Sequence, residues 1–161
     1  IGGGFPVAAY GGRADLMNLV APAGAVYQAG TLSANPVGMR AGLATLQEMT
    51  ARDGWTLLEE RMTGFQAALS DTLSRVGLEF VPHASIFWIR RRADRAVRRP
   101  DRIPTDHAAW YAAFFHAALD RGVYLPPSPY EVCFLSLAHD PSTLGRAADA
   151  LADAARQVHQ R

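Results

Sequence analysis

The sequence contains no lysine, because all 16 basic residues among its 161 positions are arginines. A lysine amine is the group that forms a Schiff base with a carbonyl cofactor, so no residue of this chain can supply that covalent link. The chain has a single cysteine, Cys133, which excludes an intrachain disulfide framework and a cysteine-rich metal site. Cysteine usage of this kind fits a reducing compartment, and we expect a cytoplasmic protein. The histidines show no metal-ligand spacing, so we expect no metal site.

Long apolar runs and a strong net charge are also missing. No run approaches the roughly 18–20 apolar residues of a membrane-spanning helix, so we expect no membrane insertion. The formal net charge is +1, which leaves no global field to attract nucleic acid. Hydrophobic residues make up 49% and charged residues 19% of the chain, a composition typical of a folded globular protein. The sequence begins with Ile1 rather than Met, and we expect it to be a piece of a longer protein.

Charge is concentrated in one stretch, residues 90–102, which holds seven arginines against Asp94 and Asp101. A single-strand nucleic-acid site would interleave aromatic residues with these charges, and there are none. We predict a solvated loop between a strand and a helix. Nucleic-acid binding through this stretch remains an alternative.

Residues 27–36, Tyr-Gln-Ala-Gly-Thr-Leu-Ser-Ala-Asn-Pro, form the segment with the clearest chemical potential. Gly30 has no Cβ and lets an anion approach its N–H closely, while the hydroxyl of Thr31 can donate a hydrogen bond. Asn35 and Pro36 are typical of the cap and first position of a helix, whose N-terminus favours negative charge. The pattern predicts either a simple turn before a helix or a phosphate contact.

Periodicity predicts an α/β chain in which helices cover one face of a small sheet. The predicted elements are a short strand or hairpin at 1–12, helices at 13–20, 36–49 and 54–76, two strands within 78–90 broken at 82–84, a helix at 105–121, strands at 123–125 and 133–137, and a last helix capped by Asp140.

Several segments, read together, resemble the glutamate-1-semialdehyde 2,1-aminomutase family, which belongs to the class-III aminotransferases of fold type I. The segments are Ile-Gly-Gly-Gly-Phe-Pro-Val-Ala-Ala-Tyr-Gly-Gly-Arg (1–13), Val-Ala-Pro-Ala-Gly (20–24), the stretch 27–36, Phe-Phe-His-Ala-Ala-Leu-Asp-Arg-Gly-Val-Tyr-Leu-Pro-Pro-Ser (114–128) and Leu-Ser-Leu-Ala-His (135–139). Their order along the chain makes the resemblance specific, and it extends nearly end to end apart from the arginine-rich stretch.

The resemblance implies the C-terminal part of an enzyme that uses pyridoxal 5′-phosphate and its pyridoxamine form. Residues 1–40 would be the tail of the large cofactor-binding domain, 41–77 long connecting helices and 78–161 the small domain. The implied reaction converts the small molecule glutamate-1-semialdehyde to 5-aminolevulinate in tetrapyrrole synthesis. The implied assembly is a homodimer with shared active sites. The Schiff-base lysine would lie upstream of Ile1, so we expect the chain alone to be inactive.

Site residues follow from the same resemblance. Gly30 and Thr31 match the position that binds the phosphate of the partner subunit's cofactor, and Tyr27 and Gln28 would line the substrate channel. Glu131 stands where fold relatives place an arginine for a substrate carboxylate. A carboxylate there would interact with the substrate's amino groups instead.

Some positions depart from the family pattern, and they keep other interpretations open. Ala8 and Ala34 stand where glycine is expected, Ala25 where proline is expected, and Cys133 where glycine is usual. Ala34 and Cys133 lie close enough to the implied site to alter substrate preference. One alternative is a class-III aminotransferase with another amine substrate, and another is a non-catalytic homologue that serves as an interaction module.

Overall fold

The computed structural model describes residues 1–160. The chain divides into two compact units, an N-terminal unit of residues 1–54 and a C-terminal unit that begins at Trp55. Each unit has its own architecture. Among the described residues, no helix is both long and apolar enough to cross a membrane.

The N-terminal unit contains the short helix α1 (Ala14–Met17) and the long helix α2 (Pro36–Ala51). The prediction of a strand or hairpin at 1–12 was wrong. The Phe5 N–H donates to the Gly2 carbonyl at 3.0 Å, and Gly3 and Gly4 adopt positive φ values of 59° and 96°. This tight glycine turn interrupts the extended backbone that strand pairing needs.

Helix α2 packs through glycines rather than through apolar side chains. Gly38 and Gly42 are buried, and a Cβ at Gly38 would lie 3.2 Å from the Val7 side chain. The apolar side chains of this helix form no core face within its unit, because Val37 and Leu46 are exposed. The absence of side chains on the buried stripe lets residues 1–7 lie close to the helix backbone.

Helix α3 (Gly54–Arg75) confirms the predicted second long helix, which ends before Gly77 as expected. Its apolar stripe supplies much of the core of the C-terminal unit, with each member at most 6% exposed: Leu58, Met62, Phe65, Leu69 and Leu73. The regular three- and four-residue spacing of these positions produces the buried stripe.

A small antiparallel sheet follows, in the order β1-β2-β3. Its strands are β1 (Leu78–His83), β2 (Ile86–Arg91) and β3 (Cys133–Phe134). The predicted break at 82–84 is displaced, because Pro82 pairs with Phe87 and His83 with Ile86, which leaves Ala84 and Ser85 as the turn. Pro82 is tolerated because β1 is an edge strand.

Two helices complete the C-terminal unit: α4 (His107–Leu119) and α5 (Pro141–His159). Asp140 caps α5 as predicted, since its Oδ1 accepts the Thr143 N–H at 2.7 Å. The Asp106 side chain does not cap α4 and instead pairs with Arg91 at 2.9 Å.

The strand predicted at 123–125 is absent from the described sheet, and β3 is shorter than the predicted 133–137. The Val123 N–H donates to the Ala118 carbonyl at 3.0 Å, which ends helix α4, and Pro126 and Pro127 have no N–H to donate. The segment therefore pairs with no strand of the described sheet. The α/β class with a small helix-covered sheet is confirmed.

Candidate functional site

The first candidate site is an exposed turn before helix α2. The Ser33 N–H donates to the Gly30 carbonyl at 2.9 Å, which closes the turn. Asn35 joins the turn to the helix, because its Nδ2 donates to the Leu32 carbonyl at 2.9 Å while its Oδ1 accepts the Gly38 N–H at 2.7 Å. One side chain thus fixes both the turn and the start of the helix.

The hydrogen-bond donors of this turn are available to bind an anion. Gly30 and Thr31 are exposed, and within the described part of the chain neither the N–H groups of Gly30, Thr31 and Leu32 nor the Thr31 hydroxyl donates to a protein acceptor. A Cβ at position 30 would come within 2.9 Å of the Ser33 hydroxyl, so a side chain there would crowd the turn. This set of donors beside a helix N-terminus fits a phosphate group.

Tyr27 and Gln28 lie just before this turn and are both exposed. The Tyr27 side chain is 84% exposed, so its ring does not pack within its own unit. Exposure of this kind suits contact with another molecule or another part of a longer protein. The channel role of both residues stays a prediction.

Ala34 has a φ of 55°, in the left-handed region that favours glycine. The sequence already marked this position as one where glycine was expected. The structure supplies the physical reason, because the chain must turn sharply between Ser33 and the cap residue Asn35. The methyl group of Ala34 makes that conformation strained.

The second candidate site belongs to the C-terminal unit. Glu131 is exposed and lines a cavity of about 470 Å³ whose other lining residues include Tyr124, Cys133, Phe134 and His139. Most of the remaining lining is apolar and comes from the 123–126 segment, strand β3 and helix α5. A carboxylate in a largely apolar cavity is suited to binding an amino group.

Cys133 lies in β3, two residues after Glu131, and lines the same cavity. Burial raises the pKa of its thiol to about 12. The thiol therefore stays protonated at neutral pH and acts as a small apolar group rather than a nucleophile. A side chain at this position, where glycine is usual, takes space from the cavity.

His139 has a structural role. Its Nδ1 accepts the Ser136 N–H at 3.0 Å, and its carbonyl accepts a hydrogen bond from Arg61 Nη1, also at 3.0 Å. The same Arg61 atom donates to the Leu137 carbonyl at 2.9 Å. These bonds fix the segment between β3 and α5.

Sequence reasoning assigned no role to His107, which is fully buried at the start of α4. Its Nε2 lies 3.0 Å from the Pro129 carbonyl, which also accepts the Trp88 Nε1–H at 2.9 Å. Burial lowers the pKa of His107, so the ring is neutral at neutral pH. Because the partner of Nε2 is a carbonyl oxygen, which can only accept, this nitrogen carries the proton. The aromatic residues of the 105–121 helix were the only available signal.

The arginine-rich stretch is more structured than a simple solvated loop. Arg90 and Arg91 belong to strand β2, and Arg90 is buried and pairs with Glu79 at 2.5 Å. Arg92 donates to the Ser74 hydroxyl at 2.6 Å. Residues Pro100–Arg102 form a short 3-10 helix. Several charges thus stabilise the fold rather than form a free basic surface.

Among residues 1–160, no group of three or more His, Cys, Asp or Glu side chains is placed to hold a metal ion. Gly30 and Thr31 belong to the N-terminal unit, and Glu131 belongs to the C-terminal unit. The two candidate sites are therefore an anion-binding turn and a carboxylate-bearing cavity, each defined by its own unit.

No family model matches the chain. The chain is 52% identical over 157 residues to a glutamate-1-semialdehyde 2,1-aminomutase of Bdellovibrio bacteriovorus, a match that covers 96% of this chain and 37% of the relative. It is 48% identical over 149 residues to the enzyme of the same name from Leptospira interrogans, covering 91% of this chain and 34% of that relative. The chain is homologous to the C-terminal third of glutamate-1-semialdehyde 2,1-aminomutases.

Solved structures support the same assignment at the level of fold. An omega-transaminase from Sphaerobacter thermophilus superposes with a TM-score of 0.81 at 27% identity, over 98% of this chain and 36% of that chain. A β-phenylalanine aminotransferase from Variovorax paradoxus gives a TM-score of 0.74 at 25% identity, over 89% of this chain and 33% of that chain. This chain thus spans about a third of the length of each aminomutase or transaminase relative.

Proposed function

We propose that this chain is the C-terminal portion of an aminomutase that converts glutamate-1-semialdehyde to 5-aminolevulinate for tetrapyrrole synthesis. The observation that carries the proposal is the 52% identity over 157 residues to a protein of that name. The cytoplasm is the proposed compartment, supported by the single cysteine, whose thiol is partly buried and protonated.

The proposed cofactor is pyridoxal 5′-phosphate, which alternates with its pyridoxamine form and supplies an electron sink when bound. Gly30 and Thr31 would hold its phosphate, because their N–H groups and the Thr31 hydroxyl are exposed and donate to no protein acceptor within the described residues. The phosphate would belong to the cofactor of the partner subunit in a homodimer with shared sites. The exposed Tyr27 and Gln28 would line the channel beside it.

Glu131 would bind the amino groups of the substrate. Its carboxylate lines an otherwise largely apolar cavity, where a charge-assisted hydrogen bond to an ammonium group is strong. An aldehyde substrate has no carboxylate at that end for an arginine to bind. With no lysine in its sequence, the 161-residue chain is expected to be inactive alone.

A chimera tests the function directly. This chain would replace the matching segment of the Bdellovibrio bacteriovorus aminomutase, and formation of 5-aminolevulinate from glutamate-1-semialdehyde would be measured. We expect turnover within about tenfold of the parent enzyme, since the sequences are half identical over the segment. A chimera that folds and retains the cofactor but makes no product would contradict the proposal.

The phosphate role is tested by Thr31→Ala in the chimera. Loss of the hydroxyl should weaken retention of pyridoxal phosphate during dialysis by about tenfold, because a charge-assisted hydrogen bond is lost. Thr50→Ala is the matched control, since the Thr50 hydroxyl bonds only to the Leu46 carbonyl of its own helix. Equal retention in the two variants would remove Thr31 from the cofactor site.

The role of Glu131 is tested by Glu131→Gln, which keeps the shape of the side chain and removes its charge. Turnover should fall by about tenfold or more while cofactor retention stays unchanged. Glu59→Gln, at an exposed position on α3, is the control for loss of one surface carboxylate. Parental rates in Glu131→Gln would exclude Glu131 from the reaction.

A second candidate is a class-III aminotransferase that acts on another amine. The observations that favour it are the TM-score of 0.81 to an omega-transaminase and the side chain of Cys133 in the cavity with Glu131. The same chimera discriminates the two activities. Amino transfer from simple amines to a 2-oxo acid, without 5-aminolevulinate formation, would favour the aminotransferase.

A further inference from the structure

Two side chains from different elements donate to one carbonyl in the loop that leads to Glu131. Trp88 lies in strand β2 and donates through Nε1 to the Pro129 carbonyl at 2.9 Å. His107 begins helix α4, and its Nε2 lies 3.0 Å from the same oxygen. A carbonyl has two lone pairs, so both hydrogen bonds can form together.

Aromatic contacts reinforce this arrangement. The Trp88 and His107 rings meet edge to face with centroids 5.5 Å apart, and the Tyr130 ring lies 6.1 Å from that of His107. His107 is fully buried, and its Nδ1 has no hydrogen-bond partner among the described residues. An unpaired buried nitrogen costs stability, so the contact of Nε2 with the Pro129 carbonyl is the hydrogen bond that orients the His107 ring within the described residues.

The backbone around Glu131 is fixed on both sides. Upstream, the Pro129 carbonyl accepts the two hydrogen bonds. Downstream, Cys133 pairs with Phe87 of strand β2. Between these points the Glu131 N–H makes only a long hydrogen bond of 3.4 Å to the Ser128 carbonyl. The direction of the Glu131 side chain is therefore set by its two fixed neighbours rather than by its own contacts.

We propose that Trp88 and His107 are positioning residues, which hold the Pro129 carbonyl and thereby direct the Glu131 carboxylate into its cavity. This inference rests on the proposed function for the role of Glu131 in turnover. The positioning itself is a property of the C-terminal unit. It can be measured in the 161-residue chain without cofactor or substrate.

The first test is amide exchange in the chain, measured by NMR at Tyr130 and Glu131. Trp88→Phe keeps an aromatic ring and removes the N–H donor, and it should accelerate exchange at these amides by about fivefold. Trp110→Phe is the matched control, because Trp110 stacks on His107 at 5.6 Å but makes no hydrogen bond to Pro129. If the Tyr130 and Glu131 amides exchange at the same rate in Trp88→Phe and Trp110→Phe, the proposal is overturned.

His107 is tested in the same way by two substitutions. His107→Phe keeps a ring without a donor and should accelerate exchange at Tyr130 and Glu131, whereas His107→Gln keeps an N–H donor and should restore part of the protection. Thermal unfolding of each variant identifies any global loss of structure. If His107→Gln and His107→Phe behave alike, a role through the hydrogen bond is refuted and His107 only fills space.

The second test uses the chimera and separates this inference from the proposed function. Trp88→Phe should lower kcat by about fivefold with unchanged cofactor retention, in the same direction as Glu131→Gln, and Trp110→Phe should not. If Glu131→Gln lowers kcat and Trp88→Phe does not, the positioning role is refuted and the proposed function stands. If Glu131→Gln has no effect, the proposed role of Glu131 fails and the positioning role for turnover fails with it, although the exchange result still reports the hydrogen bonds.

Discussion

In the N-terminal unit the buried residues are all glycines: Gly2, Gly38, Gly42 and Gly54. In the C-terminal unit large side chains fill the interior, and Leu69, Leu73 and Phe114 have no exposed surface. The N-terminal unit is thus held by close approach of backbone segments and by hydrogen bonds. The C-terminal unit has a hydrophobic core of the usual kind.

The difference in packing between the two units parallels a difference between their candidate sites. The Gly30–Thr31 turn projects unpaired donors from a unit that leaves its apolar side chains, such as Leu43 and Leu46, exposed. Glu131 instead lies beside a packed core and between two fixed backbone positions. The first arrangement suits a site completed by other protein surfaces, and the second suits a site that orients a side chain accurately.

The largest expected effect comes from a matched pair of leucines. Leu69→Ala should lower the free energy of unfolding by about 3 kcal/mol, because it opens a cavity in the core. Leu43→Ala should lower it by less than about 0.5 kcal/mol, because that side chain is exposed. Urea unfolding of the 161-residue chain measures both. Equal losses would mean that α2 is buried in solution and that the comparison is wrong.

The stability of the C-terminal unit should fall in weakly acidic solution. Burial lowers the pKa of His107, with the positive charges of Arg90 and Arg91 adding to the effect and the Pro129 hydrogen bond and Asp106 opposing it. The unfolded chain therefore binds a proton on this histidine at a higher pH than the folded chain. The stability linked to neutral His107 is fully present above about pH 6.5. It declines as the pH falls through and below that value.

The melting temperature between about pH 7.5 and about pH 5.5 checks this expectation. His107→Gln should melt with a smaller pH dependence than the parent over that window, because its side chain does not titrate. If the melting temperatures of the parent and of His107→Gln change equally with pH, the pH dependence comes from other groups.

A matched pair of helix caps gives a smaller effect. Asn35 and Asp140 each accept an N–H three residues later, both at 2.7 Å. Asp140→Ala should lower the global unfolding midpoint, because the buried Leu144 lies in the first turn of α5. Asn35→Ala should accelerate amide exchange only at the start of α2. Global destabilisation by Asn35→Ala would show that α2 contributes to a shared core.

The smallest effects concern two alanines with positive φ, Ala34 at 55° and Ala84 at 48°. Glycine at each position should relieve the strain at some cost in chain entropy, with a net gain of about 0.5 kcal/mol. The gain from Ala84→Gly should appear in urea unfolding of the C-terminal unit. The gain from Ala34→Gly should appear as slower exchange around the Gly30–Thr31 turn. A loss at Ala34 would mean that its methyl group makes a favourable contact.

Sequence patterns were most reliable where local rules and burial agree. The caps at Asn35 and Asp140, and the apolar spacing of α3 and α5, predicted helices close to their observed bounds. The strand predictions failed where the backbone forms a turn or donates its hydrogen bond to a neighbouring helix. Gly3 and Gly4 form a turn where a strand was expected. The Val123 N–H donates to the Ala118 carbonyl in the last turn of α4 instead of to a strand.

By itself the sequence predicted the long helices α2, α3 and α5 and the segments that relate the chain to aminomutases. It also named the positions of the phosphate and amine contacts, which remain proposals. Only the tertiary structure decided that α2 is packed through glycines and that Trp88 and His107 meet at the Pro129 carbonyl. Spacing along the chain governs elements whose hydrogen bonds are local. A carbonyl shared by residues 41 and 22 positions away depends on how separate elements pack, which no local pattern records.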